Sequence, residues 1–328
     1  MNEQTIKKIL ITGANGFIGN TLMRYYQHNN QAIVGVDLVG NGSDIVKGDI
    51  AEPETIANLL DECDVIIHTA ALVSNAMEDT DMWRVNVLAT RNLIAAAKKH
   101  EVRRFVQISS IVAYGNAAQG ELDEDQPVHA DGGSYVLTKL ASEHVVLAAQ
   151  ANSNSDIEVV IVRPGDAYGP GSRPWIIAPL EAIAKNQFML PAKGEGFFRP
   201  IYIDDLVRGI VLVAEHPDAV GEIFNLSCEG YMPTKDYFAP HYQWLGKKGP
   251  MLVSTKLALR VAAIASKVAD LMGNLNEASP ATVAQLATKS WFSIKKAERV
   301  LGWKPEVTFD EGMKRSKQWA SDNGLLGK

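Results

Sequence analysis

Residues 8–19, with the sequence KILITGANGFIG, lead from a short apolar run into three glycines and then into a helical pattern. Glycines at this spacing allow a tight turn, a close approach of the backbone to a pyrophosphate, and close packing of a helix on its strand. The positive end of that helix attracts an anion. The sequence therefore predicts a dinucleotide-binding loop, formed by Gly13, Asn15, Gly16, Phe17, Ile18 and Gly19.

Short apolar runs and helical patterns alternate outward from this loop through the first 165 residues. The apolar runs are nearly continuous, as is typical of strands covered by helices on both faces. This alternation predicts an α/β fold with a doubly wound parallel sheet of the Rossmann type. The expected strands lie at 9–12, 32–37, 65–68, 105–108 and 159–162, the helices at 17–28, 55–60, 82–100 and 134–150, and a polar loop at 152–156.

The pattern changes after residue 165. Glycine and proline cluster at 169–174, which indicates a loop, and the helices and short strands beyond it mix without a clear repeat. We expect residues 1–165 to form the dinucleotide-binding domain. Residues 166–328 are expected to form mainly a smaller α/β lobe for the substrate, with some segments returning to the Rossmann core.

The composition excludes several classes of function. The 328 residues carry a net charge of −6 without a Lys/Arg cluster, so no nucleic-acid partner is expected. Cys63 and Cys228 are far apart and lack the spacing of a disulfide framework or a metal site, so no metal is predicted. The chain shows neither a signal-peptide pattern nor an apolar window long enough to span a membrane. We therefore expect a cytoplasmic protein.

Asp37 ends the second predicted strand, 24 residues after Gly13. A carboxylate there can accept hydrogen bonds from both ribose hydroxyls and would repel a 2′-phosphate. The sequence continues LVGN, without a neighbouring cation. The expected cofactor is therefore NAD rather than NADP. Asp49, followed by Ile50, ends the next apolar run and is a candidate for contact with the adenine.

Tyr135 and Lys139 stand four residues apart in one predicted helix, so their side chains share a face. The ordinary pKa of a phenol, about 10, is too high for a base at neutral pH. A neighbouring ammonium and the cationic nicotinamide of oxidised NAD would favour the phenolate and lower that pKa. Ser109 and Ser110 follow the fourth predicted strand, where a serine can hydrogen-bond a substrate oxygen as its charge changes.

These motifs together resemble the extended short-chain dehydrogenase/reductases, the superfamily of nucleotide-sugar epimerases, dehydratases and 3β-hydroxysteroid dehydrogenases. The resemblance rests on the GANGFIG loop, on the serine pair followed by VAYG, and on the YxxxK motif, and it covers essentially the whole chain. It implies that Ser110, 25 residues before Tyr135, is the catalytic serine. It also implies that Tyr135 is the acid/base, and that Lys139 lowers its pKa and holds the ribose.

The resemblance implies further cofactor contacts. Residues 68–71, HTAA, match the family's loop after a cofactor-side strand, and Asn86 matches an asparagine of the helix that follows. Relatives often pair through the helices that hold Asn86 and Tyr135, so a homodimer is expected. Beyond the glycine loop, the implied cofactor-binding residues are Asp37, Asp49, Ile50, Ala70, Ala71, Asn86, Ser109, Tyr135, Lys139 and Pro164.

The substrate has to be inferred from the second half of the chain, because a fold alone does not specify it. The nucleotide-sugar relatives grip a diphosphate with the asparagine of an NxYGP motif, whereas this chain reads DAYGP from Asp166. A carboxylate beside a diphosphate is repelled by about 1 kcal/mol at about 4 Å even in water. Arg199 matches an arginine that binds the diphosphate in epimerases. Related dehydrogenases also have an arginine at this position, so the match does not discriminate between the two classes. Arg199 could also form a salt bridge. The candidate substrate contacts are Ser110, Asp166 and Arg199.

Residues 291–305, WFSIKKAERVLGWKP, resemble a segment of the 3β-hydroxysteroid and sterol-4-carboxylate dehydrogenase branch. Together with RPGD at 163–166, this segment favours the interconversion of a secondary alcohol and a ketone on an apolar small molecule, sterol-like or a β-hydroxy or β-keto acyl compound. Two alternatives stay open. One is a nucleotide-sugar epimerase or dehydratase with tightly bound NAD, and the other is a non-catalytic, NAD-binding regulatory protein.

Residues 255–275 predict a helix with one apolar stripe and with cations elsewhere. Three interpretations stay open: an ordinary helix packed on its own lobe, a lid over an apolar substrate, or a helix in peripheral contact with a membrane. The stripe consists of Leu257, Val261, Ile264, Val268, Leu271 and Leu275, and the cations are Lys256, Arg260 and Lys267.

Overall fold

The structure is a computed structural model that describes residue 6 and residues 8–74, 77–151, 157–272 and 279–326. The expected polar loop at 152–156 and Leu275 lie outside these residues. The strands are β1 (Ile9–Thr12), β2 (Ile33–Asp37), β3 (Ile45–Lys47), β4 (Val65–His68), β5 (Arg104–Ile108), β6 (Gln119–Leu122), β7 (Glu158–Pro164), β8 (Asp166–Tyr168), β9 (Phe197–Phe198), β10 (Pro200–Tyr202), β11 (Ile223–Leu226), β12 (Met232–Pro233) and β13 (Lys289–Phe292).

Helices follow most of the sheet strands and also fill the second half of the chain. Two further segments, Arg84–Ala89 and Arg173–Ile177, are π-helical. The α-helices are α1 (Phe17–His28), α2 (Ala57–Leu60), α3 (Asp79–Trp83), α4 (Thr90–Lys99), α5 (Ser134–Ala151), α6 (Ala178–Ala184), α7 (Ile203–Glu215), α8 (Thr234–Trp244), α9 (Thr255–Leu271), α10 (Pro280–Ala287), α11 (Lys295–Leu301) and α12 (Phe309–Asp322).

The main sheet contains seven strands in the order β11-β7-β5-β4-β1-β2-β3. Neighbouring strands run parallel throughout, and Leu10 of β1 pairs with Val34 on one side and Ile66 on the other. The strand order reverses between β1 and β4, so a crevice opens at their carboxyl ends. Open α/β sheets bind their ligands in such a crevice. The predicted doubly wound Rossmann sheet is confirmed.

The apolar strands are buried because helices cover both faces of the sheet. Alternate residues of β1 belong to different cores: Leu10 packs with residues of α4 and α5, whereas Ile9 and Ile11 pack with residues of α1 and α7. A strand that is covered on both faces has no side chains that face solvent, and its sequence is therefore continuously apolar. This packing fixes the carboxyl edge of the sheet as a rigid platform for the loops.

Two sheet strands were not predicted. β3 is only three residues long, and β11 comes from the second half of the chain, where it pairs with β7 at the sheet edge. A helix was expected at 82–100, but the π-helical segment Arg84–Ala89 separates α3 from α4. The remaining short strands form pairs outside the main sheet: β8 with β10, β9 with β12, and β6 with β13.

Neither a membrane-spanning helix nor a cluster of metal ligands occurs among the described residues. No helix among them has the length and apolar character needed to cross a bilayer. They also bring together no group of three or more His, Cys, Asp or Glu side chains that could hold a metal ion.

Asp205 of α7 ties this helix to the segment between α11 and α12. One carboxylate oxygen accepts the backbone N–H groups of Glu306 and Val307 at 3.0 and 2.8 Å, and the other accepts Arg208 Nη2 at 2.8 Å. The side chain is buried. Hydrogen bonds to a buried charged acceptor are each stronger than neutral ones.

We expect Asp205→Asn to lower the free energy of unfolding by about 2–3 kcal/mol, because an amide accepts fewer and weaker hydrogen bonds. The neighbouring Asp204→Asn is the matched control, since this exposed side chain makes only a peripheral ion pair with Arg315 and should cost about 0.5 kcal/mol or less. Urea unfolding of both variants measures the difference. Equal losses would contradict the role given to Asp205.

Candidate active site

Residues predicted for the site come together at the carboxyl edge of the sheet, although they are distant in sequence. Each follows or ends a different parallel strand: Gly13 after β1, Asp37 in β2, Ala70 after β4, Ser110 after β5, and Pro164 in β7. Parallel strands end at the same edge, so the topology itself gathers these residues into one crevice.

The glycine loop is packed too closely for side chains at two positions. Gly13 has a φ of +68°, and a Cβ there would lie 2.8 Å from the backbone of Ala70. A Cβ on Gly19 would lie 2.1 Å from the carbonyl oxygen of Gly13, so the loop folds directly onto α1. Gly13 therefore allows the tight turn and Gly19 the close packing of α1, as the spacing indicated.

The start of α1 presents backbone N–H groups without a side-chain cap. Gly16 occupies the capping position and supplies no hydrogen-bonding side chain. Uncapped amides and the positive end of a twelve-residue helix are suited to an anion. The exposed Asn15 and Gly16 and the half-buried Phe17 and Ile18 border this helix start, so the loop fits a dinucleotide pyrophosphate.

Asp37 is held against the glycine loop. Its carboxylate accepts the backbone N–H of Asn15 at 2.9 Å, and Asn15 Nδ2 donates to the carbonyl oxygen of Val39 at 2.6 Å. The carboxylate is half-buried and keeps further acceptor capacity for ribose hydroxyls. Leu38 and Val39, the apolar residues that follow Asp37 in the sequence, are exposed beside it.

Asp49 and Ile50 differ in their surroundings. Asp49 is half-buried, and its carboxylate accepts the backbone N–H of Ala51 at 2.9 Å. Ile50 is buried in the core on the α4 side of the sheet. The side chain of Ile50 therefore packs in the core, and Asp49 is the residue of the two that offers a polar group near the carboxyl edge of the sheet.

Asn86 connects the loop after β4 with α5. Its amide accepts the backbone N–H of Leu72 at 2.8 Å and donates to the carbonyl oxygen of Leu72 at 3.0 Å. It also donates to Thr138 Oγ1 in α5 at 3.1 Å. Asn86 was predicted as a cofactor residue, and its side chain positions the loop of Ala70 and Ala71 relative to α5. Thr138, which Asn86 contacts, was not predicted.

His68 lies beneath the same loop and is fully buried. Its two ring nitrogens lie 2.7 Å from Thr12 Oγ1 and 2.9 Å from Thr90 Oγ1. Burial lowers the pKa of His68 to about 3, and the charge of Lys139 lowers it further. The imidazole is therefore neutral at physiological pH and fixes β4 to its neighbours without carrying charge.

Tyr135 and Ser110 meet in the crevice. The phenol of Tyr135 lies close enough to the hydroxyl of Ser110 for that group to affect its pKa, and Ser110 Oγ accepts the backbone N–H of Val112 at 3.3 Å. Burial raises the pKa of Tyr135 to about 12, and the hydroxyl of Ser110 offsets part of that rise. The expected lowering of the tyrosine pKa therefore does not occur in the protein alone, because desolvation of the phenolate dominates.

Lys139 points from the same helix face toward β5. Its ammonium donates to the carbonyl oxygen of Ile108 at 3.0 Å. Burial lowers the pKa of Lys139 to about 8, and the carboxylate of Glu143 opposes that shift. At pH 7 the ammonium remains mostly charged. It stands one helical turn beyond Tyr135, where it can support a phenolate or contact a ribose.

Glu143 forms a buried ion pair behind these residues, and it was not predicted. Its two carboxylate oxygens accept Arg163 Nε at 3.0 Å and Nη2 at 2.7 Å. The hydroxyl of Ser109 donates to the same carboxylate at 2.5 Å. Ser109, predicted as a cofactor contact, thus directs its hydroxyl to Glu143. Since Glu143 follows Lys139 by one turn, a YxxxKxxxE pattern could have signalled it.

The ion pair continues into a buried network. The Arg163 guanidinium lies 4.6 Å above the ring of Tyr114, a cation–π contact. Tyr114 Oη donates to Asn225 Oδ1 of β11 at 2.9 Å, and the backbone N–H of Asn225 donates to Glu124 at 2.7 Å. The network therefore links α5 to β7 and to the edge strand β11.

Asp166 and Arg199 form a second buried ion pair just beyond β7. Arg199 Nε lies 3.1 Å from Asp166 Oδ2, and both side chains are about 95% buried, with exposures of 5% and 4%. The same oxygen accepts the backbone N–H of Arg199 at 3.0 Å, and Arg199 Nη1 donates to Thr288 Oγ1 at 3.0 Å. Burial raises the pKa of the Asp166 carboxyl, and the guanidinium opposes that rise. Two of the three predicted substrate residues, Asp166 and Arg199, therefore contact each other.

We expect Glu143→Gln to lower the free energy of unfolding by about 3–5 kcal/mol, because it leaves the Arg163 guanidinium buried without its counter-charge. Glu311→Gln is the matched control, since its ion pair with Arg315 is solvent-exposed and should contribute little to the free energy of unfolding. Chemical denaturation of both variants gives the two values. A loss for Glu143→Gln no larger than the control's would be inconsistent with the buried pair.

Comparison with known proteins agrees with this arrangement. Residues 9–227 match the NAD dependent epimerase/dehydratase family. The chain is 26% identical over 330 residues to a 2-alkyl-3-oxoalkanoate reductase from Stenotrophomonas maltophilia, covering 94% of this chain and 98% of the relative. It is 27% identical over 357 residues to a decarboxylating sterol-4-alpha-carboxylate 3-dehydrogenase from Candida albicans, covering 98% and 99% of the two chains.

Among solved structures, the complex of MoeE5 with UDP-glucose and NAD has a similar fold. The TM-score is 0.79 at 23% identity, with 96% of this chain and 99% of the other covered. At that identity the likeness concerns the fold. The family match spans more than half of the chain, from β1 to the residue after β11. The chain therefore belongs to the NAD-dependent epimerase/dehydratase family, as its motifs indicated, and NAD is the cofactor of that family.

Proposed function

We propose that the protein interconverts a secondary alcohol and a ketone on an apolar substrate, sterol-like or a β-hydroxy or β-keto acyl compound, with NAD as cofactor. The buried ion pair between Asp166 and Arg199 carries this proposal. In a nucleotide-sugar site, an arginine at this position has to reach a diphosphate, whereas here its guanidinium is already neutralised by a carboxylate.

Releasing Arg199 for a diphosphate would require breaking the pair. Removing one partner of a buried ion pair costs about 3–5 kcal/mol, and the exposed diphosphate would still meet the negative Asp166. The guanidinium also donates to Phe197 and Thr288, so it is held by more than one bond. These contacts disfavour a sugar-diphosphate substrate and favour an uncharged one.

Aromatic side chains around Arg199 support an apolar substrate. The rings of Phe197 and Tyr231 stack with centroids 3.5 Å apart, and the ring of Trp291 lies 5.1 Å from that of Tyr231. Tyr231 is exposed, and the Arg199 guanidinium lies 5.6 Å from the ring of Phe292. A partly open aromatic surface beside the crevice suits a hydrophobic ligand.

Two relatives act on substrates of this kind, according to their names. One is a reductase of 2-alkyl-3-oxoalkanoates, which are β-keto acids, and the other is a dehydrogenase of sterol carboxylates. A Mycobacterium tuberculosis relative, 26% identical over 331 residues, is named 3 beta-hydroxysteroid dehydrogenase/Delta 5-->4-isomerase. These names support redox chemistry at a secondary carbinol within an apolar skeleton.

The glycine loop and Asp37 would hold the cofactor. The uncapped start of α1 suits the pyrophosphate, and Asp37 suits the two hydroxyls of the adenosine ribose, which favours NAD over NADP. Bound NAD supplies a hydride acceptor, or a hydride donor when reduced. The loop that Asn86 positions, with Ala70 and Ala71, and the end of β7 at Pro164 border the same crevice.

In the proposed mechanism, Ser110 and Tyr135 both hydrogen-bond the oxygen of the substrate. In ketone reduction, the neutral Tyr135 donates its phenolic proton to that oxygen, and Ser110 stabilises the charge that develops on it. In alcohol oxidation, the phenolate of Tyr135 removes the hydroxyl proton. Lys139 lowers the cost of that phenolate as a neighbouring cation, and Glu143 keeps the pKa of Lys139 from falling further.

We also propose a homodimer and a cytoplasmic location. Exposed apolar side chains on α3, α5 and the π-helical segment between α3 and α4 support pairing through this face: Trp83, Leu88 and Leu137. Burying such side chains between two copies stabilises a dimer. A monomeric mass in sedimentation would contradict this. The two free cysteines, Cys63 and Cys228, are compatible with a reducing compartment.

The proposed function is tested on three substrate classes: NAD reduction is measured with sterols and with β-hydroxy acyl compounds, and product separation is used for UDP-sugars, because epimerases and dehydratases show no net NAD reduction. We expect turnover with sterols or β-hydroxy acyl compounds, and no turnover of UDP-sugars. In parallel, UDP should not raise the melting temperature, whereas NAD should, because ligands stabilise the state that binds them. Turnover of a UDP-sugar, or a large stabilisation by UDP, would instead identify an epimerase or dehydratase. Absence of turnover with every class would favour the regulatory alternative.

With the substrate identified, Tyr135→Phe should lower kcat by about 10²–10⁴-fold while leaving NAD affinity nearly unchanged. Because burial raises the pKa of Tyr135 to about 12, wild-type kcat/KM for oxidation should rise with pH from neutrality as the phenolate becomes accessible. The rise should flatten above about pH 8, where Lys139 loses the charge that supports the phenolate. The variant should lose this rise. Undiminished turnover by Tyr135→Phe would rule out the mechanism.

A further inference from the structure

The helix α9 packs through its small side chains. Ala258 and Ala262 are buried, and the helix lies against α10. The interpretation of the apolar stripe as ordinary core is therefore wrong for the described part of this helix, because alanines occupy the packed face. Close helix packing through alanines leaves the larger side chains on the outside.

The apolar stripe faces solvent. Ile264 is 65% exposed and Leu271 is 88% exposed, and Met272 follows with a similarly open environment. Exposed apolar residues that occur singly need no explanation, but a continuous stripe on one helix marks an interaction surface. We name this stripe the α9 stripe; its described members, all exposed, are Leu257, Val261, Ile264, Val268 and Leu271.

Exposed cations line one edge of the α9 stripe. The helical spacing places three exposed side chains side by side along this edge: Lys256, Arg260 and Lys267. The whole chain has a net charge of −6, whereas residues 247–272 contain five Lys or Arg and a single acidic residue, Asp270. The charge of this region is thus opposite in sign to that of the chain as a whole.

The charges argue against a second copy of this chain as the partner. The α9 stripe recurs at alternating steps of four and three residues, which is the spacing of a coiled-coil seam. Arg260 and Lys267 would then occupy flanking positions. In an antiparallel pair they would face each other, and in a parallel pair they would face Ala265 and Met272, without an acidic partner in either case.

We propose that α9 binds the surface of a bilayer containing anionic lipids, with the α9 stripe in the interfacial region and the cations at the headgroups. Apolar side chains flanked by Lys and Arg on a surface helix are suited to this position. Met251 and Leu252, exposed immediately before the helix, extend the apolar surface. This inference depends only on the helix and not on the reaction proposed above.

The test is cosedimentation of the full chain with vesicles of phosphatidylcholine alone and with vesicles of equal parts phosphatidylcholine and phosphatidylglycerol. We expect binding to the anionic vesicles that weakens as salt is added, since the surface attraction of exposed charges is screened. The double variant Ile264→Ser/Leu271→Ser should bind at least about tenfold more weakly, because each residue contributes burial of an apolar side chain. Ile264→Leu/Leu271→Ile is the matched control and should bind like the wild type.

The electrostatic contribution is tested separately. Lys256→Gln/Arg260→Gln/Lys267→Gln should bind anionic vesicles about 100-fold more weakly, since each cation near such a surface contributes roughly a fivefold gain. Lys295→Gln/Lys314→Gln/Lys317→Gln removes the same charge from other exposed positions and should bind nearly as the wild type does. Comparable losses in both triple variants would overturn the proposal, because they would report net charge alone.

Two further outcomes would also overturn the proposal. The first is that the wild-type protein binds neither kind of vesicle. An oligomer that the Ile264→Ser/Leu271→Ser variant dissociates, with vesicle binding unchanged, would show that a protein covers the α9 stripe. Thermal unfolding of every variant should match the wild type, because the substituted residues are exposed. None of these readouts uses turnover, so failure of the proposed reaction would not affect them.

Discussion

The buried ion pair between Glu143 and Arg163 is the interaction on which the placement of α5 against the sheet depends. Two charges removed from water are stable only when their geometry is good and hydrogen bonds compensate for the lost hydration. Here the pair makes two hydrogen bonds, Ser109 adds a third, and the ring of Tyr114 covers the guanidinium. The helix that carries Tyr135 and Lys139 is thereby anchored to the sheet at one position along its length.

The second ion pair joins Asp166 and Arg199, and it has a different consequence. Asp166 follows Arg163 of the first pair by three residues. The first pair orients α5, whereas the second sets the charge of the proposed substrate region. Because the carboxylate of Asp166 neutralises the guanidinium of Arg199, this region suits apolar better than anionic ligands in the proposed function. The end of β7 thus lies beside both ion pairs.

The outward orientation of the α9 stripe agrees with an apolar substrate. A molecule with little solubility in water partitions into membranes, and an enzyme that rests on a bilayer has direct access to it. Helix α9 packs on α10, which in turn contacts β9 beside Arg199, so the proposed membrane face and the substrate region belong to the same part of the molecule. The two proposals remain separable because each has its own readout.

The sequence by itself determined the parallel sheet, the glycine loop and the positions of Ser110, Tyr135 and Lys139, because local periodicity and short spacings carry this information. It did not reveal β11, the partner of Glu143, or the pairing of Asp166 with Arg199. Those contacts join residues that are far apart in the chain, and only folding brings them together. Periodicity also could not decide the direction of the α9 stripe, since an apolar stripe has the same spacing whether it faces a core or the solvent. The alanines on the opposite side of the helix, packed against α10, decided it.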